Sequence, residues 1–365
     1  MRNFIYPILV ISTLFGFDDL YAQEKKSPPE HQHLSCPMSL EEHEKEAYAS
    51  HVRAEQAMNR EILDGTYNIP VQFHLLRRTN GTGGITPEEA AWELDQANIK
   101  YQWMGVEFFQ CTPARFIDDD GFFNTEFQYD WDDFCGQDNA EYQIAGQNNV
   151  PDVVNIYYVN TDGWNWSCFP DDRTERCKDW IIMDIDDIGF EHLLAHELGH
   201  YFNLLHTFQG YEDSDPDNNE HIVRNSGNDC YNCNEAGDWL CDTPADNNRW
   251  DDDCNWDGTG SDGCSDFDFT PDEMNIMSYC DCAYNFTEGQ EFRIIFTITT
   301  SRSYLDCPFL SDCEPTHTLS SPQNGMFAFQ ASNTITSTAD INSGAVSAYD
   351  AGNSITRSSK PSRIL

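Results

Sequence analysis

The alternation of apolar and polar positions predicts a strand followed by a helix in the first globular part of the chain. Residues 67–77 contain the run Ile-Pro-Val-Gln-Phe-His-Leu-Leu, which is typical of a core strand. Thr86-Pro87-Glu88-Glu89 then predicts a helix start, because proline is favoured in the first helical turn. Apolar residues recur every three or four positions along this helix and predict one buried stripe: Ala90, Leu94, Ala97, Tyr101 and Met104.

Three more apolar runs predict strands, over residues 106–111, 153–159 and 180–185. Helices are expected from about Asp187 and over residues 286–305. Strands that precede helices laid across a mixed sheet indicate an α+β fold. By contrast, residues 209–274 are rich in Asp, Asn, Gly and Cys and have almost no periodicity, which predicts loops held by disulfides. After Cys313 the chain is rich in Ser, Thr, Ala and Asn, so residues 311–365 are expected to be a linker and a partial β-rich appendage.

The N-terminal 65 residues differ from this globular pattern. Arg2, an apolar run over residues 4–17 and Tyr21-Ala22-Gln23 predict a removable signal peptide over residues 1–22, since the run is too short to span a bilayer. Residues 23–65 form a pro-segment or N-terminal extension, in which the spacing from Ser39 to Glu42 predicts an exposed helix that ends near Asp64. A permanent helix packed on the domain is the alternative.

Composition narrows the possible partners. Twenty basic and 63 acidic side chains give a net charge of −43, which argues against nucleic acid and anionic membranes, because both bind through Lys and Arg. The chain has 14 cysteines, which favours disulfides in an oxidising compartment. Both features suit a secreted protein without a membrane anchor; the oligomeric state is not indicated.

The segment from Ala195 to His206 carries the chemistry. His196 and His200 are four residues apart, so on a helix they project from one face and can hold one metal ion. His206 can join them only if the helix stops and the chain turns back, and Asn203 is the expected turning residue because Asn tolerates a left-handed backbone. Three neutral imidazoles leave zinc a position for water, and Glu197 is placed to take the proton of that water.

The sequence resembles the pappalysin family of metzincin metalloproteases. The resemblance rests on HELGHYFNLLHTF over residues 196–208, CDTPA over 241–245 and NIMSY over 275–279, and it extends over about residues 67–305. It implies that Met277 forms an apolar floor beneath the metal and that Tyr279 stabilises the tetrahedral intermediate. The family pattern usually has Gly where this chain has Asn203, which leaves the placement of His206 to be established.

The resemblance also implies an architecture and a second ion. The catalytic domain would cover residues 66–310, with an upper mixed sheet, backing and active-site helices, and a lower irregular subdomain braced by disulfides. The segment from Gly237 to Thr243 resembles a calcium-carrying loop of some pappalysins, which makes Asp238 and Thr243 candidate Ca²⁺ ligands through hard oxygen atoms. A solvated acidic loop is the alternative.

Together these features predict a secreted zinc endopeptidase that hydrolyses peptide bonds in proteins through a metal-bound water activated by Glu197. Its cofactor would be Zn²⁺, with Ca²⁺ as a possible second ion, and its partner a protein or peptide substrate. The alternative is a non-catalytic extracellular binding or adhesion protein that is only braced by metal. Cys36 could act as a latency switch on the zinc or take part in a disulfide, and the sequence leaves both open.

Overall fold

A computed structural model describes residues 42–57, 65–123, 140–161, 163–167, 169–170, 180–211, 219–250, 254–256, 258, 260–280, 282–306 and five short strands beyond residue 315. The predicted signal peptide and Cys36 lie outside the described residues. The described helices are α1 Glu42–Gln56, α2 Pro87–Tyr101, α3 Asp120–Phe123, α4 Ala140–Asn148, α5 Leu193–Tyr201 and α6 Glu288–Thr299. The strands before α5 are β1 Tyr67–Arg77, β2 Val106–Gln110, β3 Arg115–Asp118, β4 Val154–Val159, β5 Trp166–Ser167 and β6 Trp180–Asp184.

These six strands form one mixed sheet. The strand order is β2-β1-β4-β6-β5, and β3 also pairs with the long strand β1. All pairings are parallel except that of β5, which runs antiparallel to β6 at the sheet edge. The four strands expected from the apolar runs are therefore confirmed, and each begins and ends within one residue of its predicted bounds.

Helix α2 lies against α5 and connects the sheet to it. Its predicted apolar stripe is buried along its whole length. The helix begins as expected: Thr86 and Glu89 form a capping box, in which the Thr86 N–H donates to Glu89 Oε2 over 2.7 Å and the Glu89 N–H donates to Thr86 Oγ1 over 3.2 Å. At the other end, the Tyr101 hydroxyl donates to the carbonyl oxygen of Ala195 over 3.0 Å. The backing helix thus holds the backbone of α5 directly.

The start of α5 differs from the prediction. The expected helix from about Asp187 begins only at Leu193, and residues 187–192 form turns. Gly189 has φ of 108°, which a right-handed helix cannot contain. Glu93 of α2 accepts a hydrogen bond from the Gly189 N–H over 2.9 Å, so this turn is fixed by the backing helix.

The expectation of an exposed N-terminal helix is wrong. Helix α1 ends at Gln56, and its side chains Tyr48, Val52 and Glu55 are buried. These residues are spaced so that they share one face. Only two of the three buried residues are apolar and Glu55 is charged, so the sequence shows no apolar stripe on this face. Whether residues 23–65 are a removable pro-segment stays a prediction.

The described residues between α5 and α6 contain no helix or extended strand, as predicted for the lower part. Three disulfides brace this region: Cys230–Cys264, Cys233–Cys241 and Cys254–Cys280. Helix α6 then begins after Thr287, whose side chain and that of Gln290 form a capping box. The predicted disulfide-braced loops are therefore confirmed for these six cysteines.

The described residues beyond 315 are five short strands in parallel pairings. They are β7 Thr316–Leu319, β8 Phe327–Ala331, β9 Thr334–Ser337, β10 Ser347–Ala351 and β11 Ser354–Arg357. Their role as a separate appendage stays a prediction. No helix within the described part of the chain combines the length and apolar composition that a membrane crossing requires.

Candidate metal centre

Helix α5 presents two imidazoles on one face, and their outer nitrogen atoms are fixed by the backbone. His196 Nδ1 lies 2.6 Å from the carbonyl oxygen of Ile276, and His200 Nδ1 lies 2.8 Å from that of Leu204. Because a carbonyl oxygen can only accept, each Nδ1 carries the proton and each Nε2 has its lone pair available. This outer-shell arrangement is typical of histidines that bind metal ions.

The chain reverses at Asn203, directly after α5. Asn203 has φ of 75°, the left-handed conformation that ends a helix and that Asn adopts more readily than most residues. The Leu204 N–H then donates to the carbonyl oxygen of Gly199 over 2.9 Å. The same turn thus directs the Leu204 carbonyl to His200 and sends the following residues back toward α5.

This turn brings His206 to the two helical histidines. The Nε2 atoms of His200 and His206 are 3.0 Å apart, and those of His200 and His196 are 3.1 Å apart. Tetrahedral zinc with nitrogen ligands at about 2.0–2.1 Å requires separations of about 3.3 Å between those ligands. The three side chains therefore form a group that could hold one metal ion, and the donor set fits zinc.

Burial keeps His200 and His206 in the neutral form. It lowers the pKa of His200 well below its ordinary value, and neighbouring His196 lowers it further. Burial likewise lowers the pKa of His206, with smaller contributions from the other two histidines. Neutral imidazole is the form that binds a metal. A cation in this group would also compensate for packing three polar rings together out of water.

Glu197 lies next to His196 on α5 and is almost completely buried. Burial raises the pKa of its carboxyl group well above the ordinary value. Its Oε2 atom has no hydrogen-bond partner among the described residues. A buried carboxylate oxygen without a partner is costly, so a water or cation in the adjacent centre would satisfy it.

Met277 packs directly under helix α5. Gly199 lies between the two helical histidines, and a Cβ at this position would collide with Met277 Sδ. The methionine therefore contacts the backbone of α5, and its close approach requires glycine at position 199. Asn275 fixes the turn over residues 275–279, because its Oδ1 accepts a hydrogen bond from the Met277 N–H over 3.0 Å.

Tyr279 stands beside the third histidine. Its ring centroid is 4.9 Å from that of His206 and 6.0 Å from that of His196, and the side chain is half-buried. The His206 ring also stacks on Phe208, with centroids 4.6 Å apart, and Phe208 meets Tyr279 edge to face at 4.5 Å. Tyr279 therefore packs beside two of the three histidines of the metal group.

Asp246 is a site residue that the sequence reasoning missed. Its Oδ2 accepts from Thr207 Oγ1 and from Ser278 Oγ, each over 2.8 Å. It therefore ties the residue after His206 to the residue after Met277. The Thr207 N–H reinforces the same connection by donating to the Met277 carbonyl over 3.1 Å. Asp246 stands in a region crowded with Asp and Asn, so no pattern distinguishes it in the sequence.

Asp238 and Thr243, the candidate calcium ligands, meet in the lower part. Thr243 Oγ1 donates to Asp238 Oδ1 over 2.9 Å. Burial raises the pKa of Asp238 to about 7, and Asp238 Oδ2 has no hydrogen-bond partner within the described residues. Glu220 is a buried neighbour that interacts unfavourably with Asp238 and forms an ion pair with Arg224 over 2.7 Å.

Known proteins with similar sequences are extracellular metalloproteases. One from Colletotrichum graminicola is 30% identical over 245 residues, which cover 62% of this chain and 74% of the relative. The chain belongs to this family of extracellular metalloproteases. A second extracellular metalloprotease, from Neurospora crassa, is 24% identical over 284 residues, which cover 73% of this chain and 84% of the relative. No protein-family model matches the chain.

Among solved structures, this metalloprotease is similar to a promirolysin variant from Tannerella forsythia. The TM-score is 0.52 and the sequence identity 16%, and the match covers 71% of this chain and 89% of that structure. At this identity the likeness concerns the fold. It confirms the predicted α+β, metzincin-like architecture.

Proposed function

We propose that this metalloprotease is a secreted zinc endopeptidase of the pappalysin type, which hydrolyses peptide bonds within proteins. One observation carries the proposal: three buried imidazole Nε2 atoms converge beside Glu197, whose Oε2 lacks a hydrogen-bond partner among the described residues. The extracellular relatives support secretion, and the three motifs that resemble pappalysins support the subfamily.

The proposed mechanism assigns one role to each side chain. His196, His200 and His206 would hold zinc, which when bound polarises a carbonyl group and acidifies water. Glu197 would act as general base toward the attacking water and then return the proton to the leaving amine. The Tyr279 hydroxyl would donate a hydrogen bond to the oxyanion that develops on the scissile carbonyl.

The substrate would lie along the sheet edge. Strand β5 is the antiparallel edge strand, and it runs next to β6, which leads to α5. An extended peptide that pairs antiparallel with such an edge forms main-chain hydrogen bonds regardless of its sequence. Specificity would then arise from side-chain contacts on either side of the scissile bond.

Metal removal tests this function. Dialysis of the purified chain against a zinc chelator should reduce casein hydrolysis to background, because neither Glu197 nor Tyr279 can activate water strongly enough without the cation. One equivalent of Zn²⁺ should restore the rate. If a zinc-loaded, folded chain hydrolyses neither casein nor gelatin, the activity proposal is wrong and a metal-braced extracellular binding protein becomes the better account.

We further propose a Ca²⁺ site at Asp238 and Thr243. The buried Asp238 Oδ2 without a described partner supports this proposal, as does the unfavourable interaction of Asp238 with Glu220. A divalent cation would satisfy the free oxygen and cancel the repulsion between the two buried carboxylates.

Calcium should therefore raise the melting temperature. At about 100 times the dissociation constant, binding stabilises a folded chain by roughly 2.7 kcal/mol, which corresponds to a rise of about 5–10 °C. Asp238→Asn should abolish this increment in calorimetry, whereas Asp229→Asn, at an exposed position of the same region, should retain it. An equal increment in both variants would show that calcium binds elsewhere.

A further inference from the structure

Helix α1 packs on the catalytic part of the chain through a specific contact surface. Val52 belongs to a buried cluster with Leu205, which directly precedes the third histidine. The ring of Tyr48 meets that of Trp239 edge to face, with centroids 5.4 Å apart. Residues before the strand-forming part of the chain thus contact the segment that carries His206.

A buried arginine joins α1 to helix α6. Arg293 is fully buried, and its Nε pairs with Glu55 Oε2 over 2.9 Å. Its Nη1 donates to the Tyr48 hydroxyl oxygen over 2.6 Å and to the carbonyl oxygen of Asp238 over 2.7 Å. Burying a guanidinium group away from water costs much free energy unless a carboxylate and several hydrogen-bond acceptors surround it. In the described residues, α1 supplies the only carboxylate in ion-pair contact with Arg293.

The same network reaches the turn of the metal centre. The Tyr48 hydroxyl accepts from Arg293 and donates to the carbonyl oxygen of Asn203 over 3.2 Å. Asn203 is the left-handed residue at which the chain reverses, and the next carbonyl, that of Leu204, fixes His200. The Tyr48 hydroxyl therefore links the buried Arg293 to Asn203, the residue whose turn positions His200 and His206.

We propose that helix α1 is a positioning element of the metal centre, and that Tyr48 fixes the Asn203 turn so that His200 and His206 keep their metal-binding geometry. This inference rests on the proposed zinc function. According to this inference, α1 does more than precede or cover the catalytic domain: it raises the affinity of the centre for zinc. Outer-shell partners of metal ligands typically change metal affinity 10–100-fold when they are removed.

Tyr48→Phe in the full-length chain tests the proposal, because it removes the hydroxyl and keeps the ring against Trp239. Zinc affinity, measured by competition with a chromophoric chelator, should fall at least about 10-fold. The visible absorption of the cobalt-substituted chain should also change, since His200 and His206 shift. The matched control is Tyr157→Phe, which removes a hydroxyl that donates to Asn149 Oδ1 over 2.6 Å away from the metal centre. Its zinc affinity and cobalt spectrum should match wild type.

The outcomes separate this inference from the function on which it rests. If wild type binds one zinc and Tyr48→Phe binds it equally well with an unchanged cobalt spectrum, the positioning role is wrong and the function stands. A wild-type chain that binds no zinc would overturn both. Should Tyr48→Phe fail to fold, Val52→Ala loosens the same helix on Leu205 and should still lower zinc affinity relative to Tyr157→Phe; equal affinity would overturn the inference.

Discussion

Glu197→Gln is expected to lower the rate of casein hydrolysis by about 10³-fold, within the range of general acid–base contributions, and to leave zinc content unchanged. The amide has nearly the shape of the carboxylate, so the buried position remains filled and the neighbouring histidines keep their places. What the variant loses is a base that can take a proton from the attacking water. Initial rates on casein, together with elemental analysis for zinc, measure the two effects separately.

Glu191→Gln is the matched control for this prediction. Glu191 is exposed and lies in the turn before the first residue of α5, whereas Glu197 is buried within that helix. Its substitution should leave the rate within about twofold of wild type, as expected for a surface change without buried contacts. Equal activity of Glu197→Gln and wild type would remove Glu197 from the mechanism. If wild type and Glu197→Gln both bind zinc and both have negligible activity, a non-catalytic, metal-braced extracellular binding protein becomes the better account.

His206→Ala is expected to have the largest effect on metal binding. It removes one of three nitrogen ligands, so zinc affinity should fall by more than the 10–100-fold typical of losing an outer-shell partner. Hydrolysis of casein should be lost with the metal. Because His206 stacks on Phe208 and approaches Tyr279, some loss of packing will accompany the change, and zinc titration of the folded variant isolates the ligand effect.

A histidine outside the centre provides the comparison for this variant. His221 is half-buried and its Nδ1 lies 3.1 Å from the Cys230 carbonyl oxygen in the lower part. His221→Ala should bind one zinc with wild-type affinity. If His206→Ala retained that affinity as well, the third ligand would have to be another residue. The turn at Asn203 would then not serve to bring a ligand to the metal.

Local signals made the upper part of the fold predictable. The stripe from Ala90 to Met104 and the helix start at Thr86-Pro87 depend on residues a few positions apart, so local sequence patterns report them directly. The pair His196 and His200 was predictable for the same reason. The convergence of His206 needed one more inference, that Asn203 would adopt a left-handed backbone.

Contacts between distant segments had no local signal. Glu55 and Arg293 are 238 positions apart, and each is an ordinary charged residue in its own helix. The face of α1 was therefore expected to be exposed. Asp246 is similar: its role depends on two hydroxyl groups that reach it from separate loops. Composition identifies such residues as acidic, and only the three-dimensional arrangement shows which of them brace the site.

X-ray absorption at the zinc edge, on wild type and His206→Ala, examines the metal centre most directly. We predict three imidazole nitrogen ligands at about 2.0–2.1 Å in wild type and one fewer in the variant, with the loss of casein hydrolysis following the loss of that ligand. A wild-type zinc shell with two or fewer imidazoles, or a shell that His206→Ala leaves unchanged, would contradict the account.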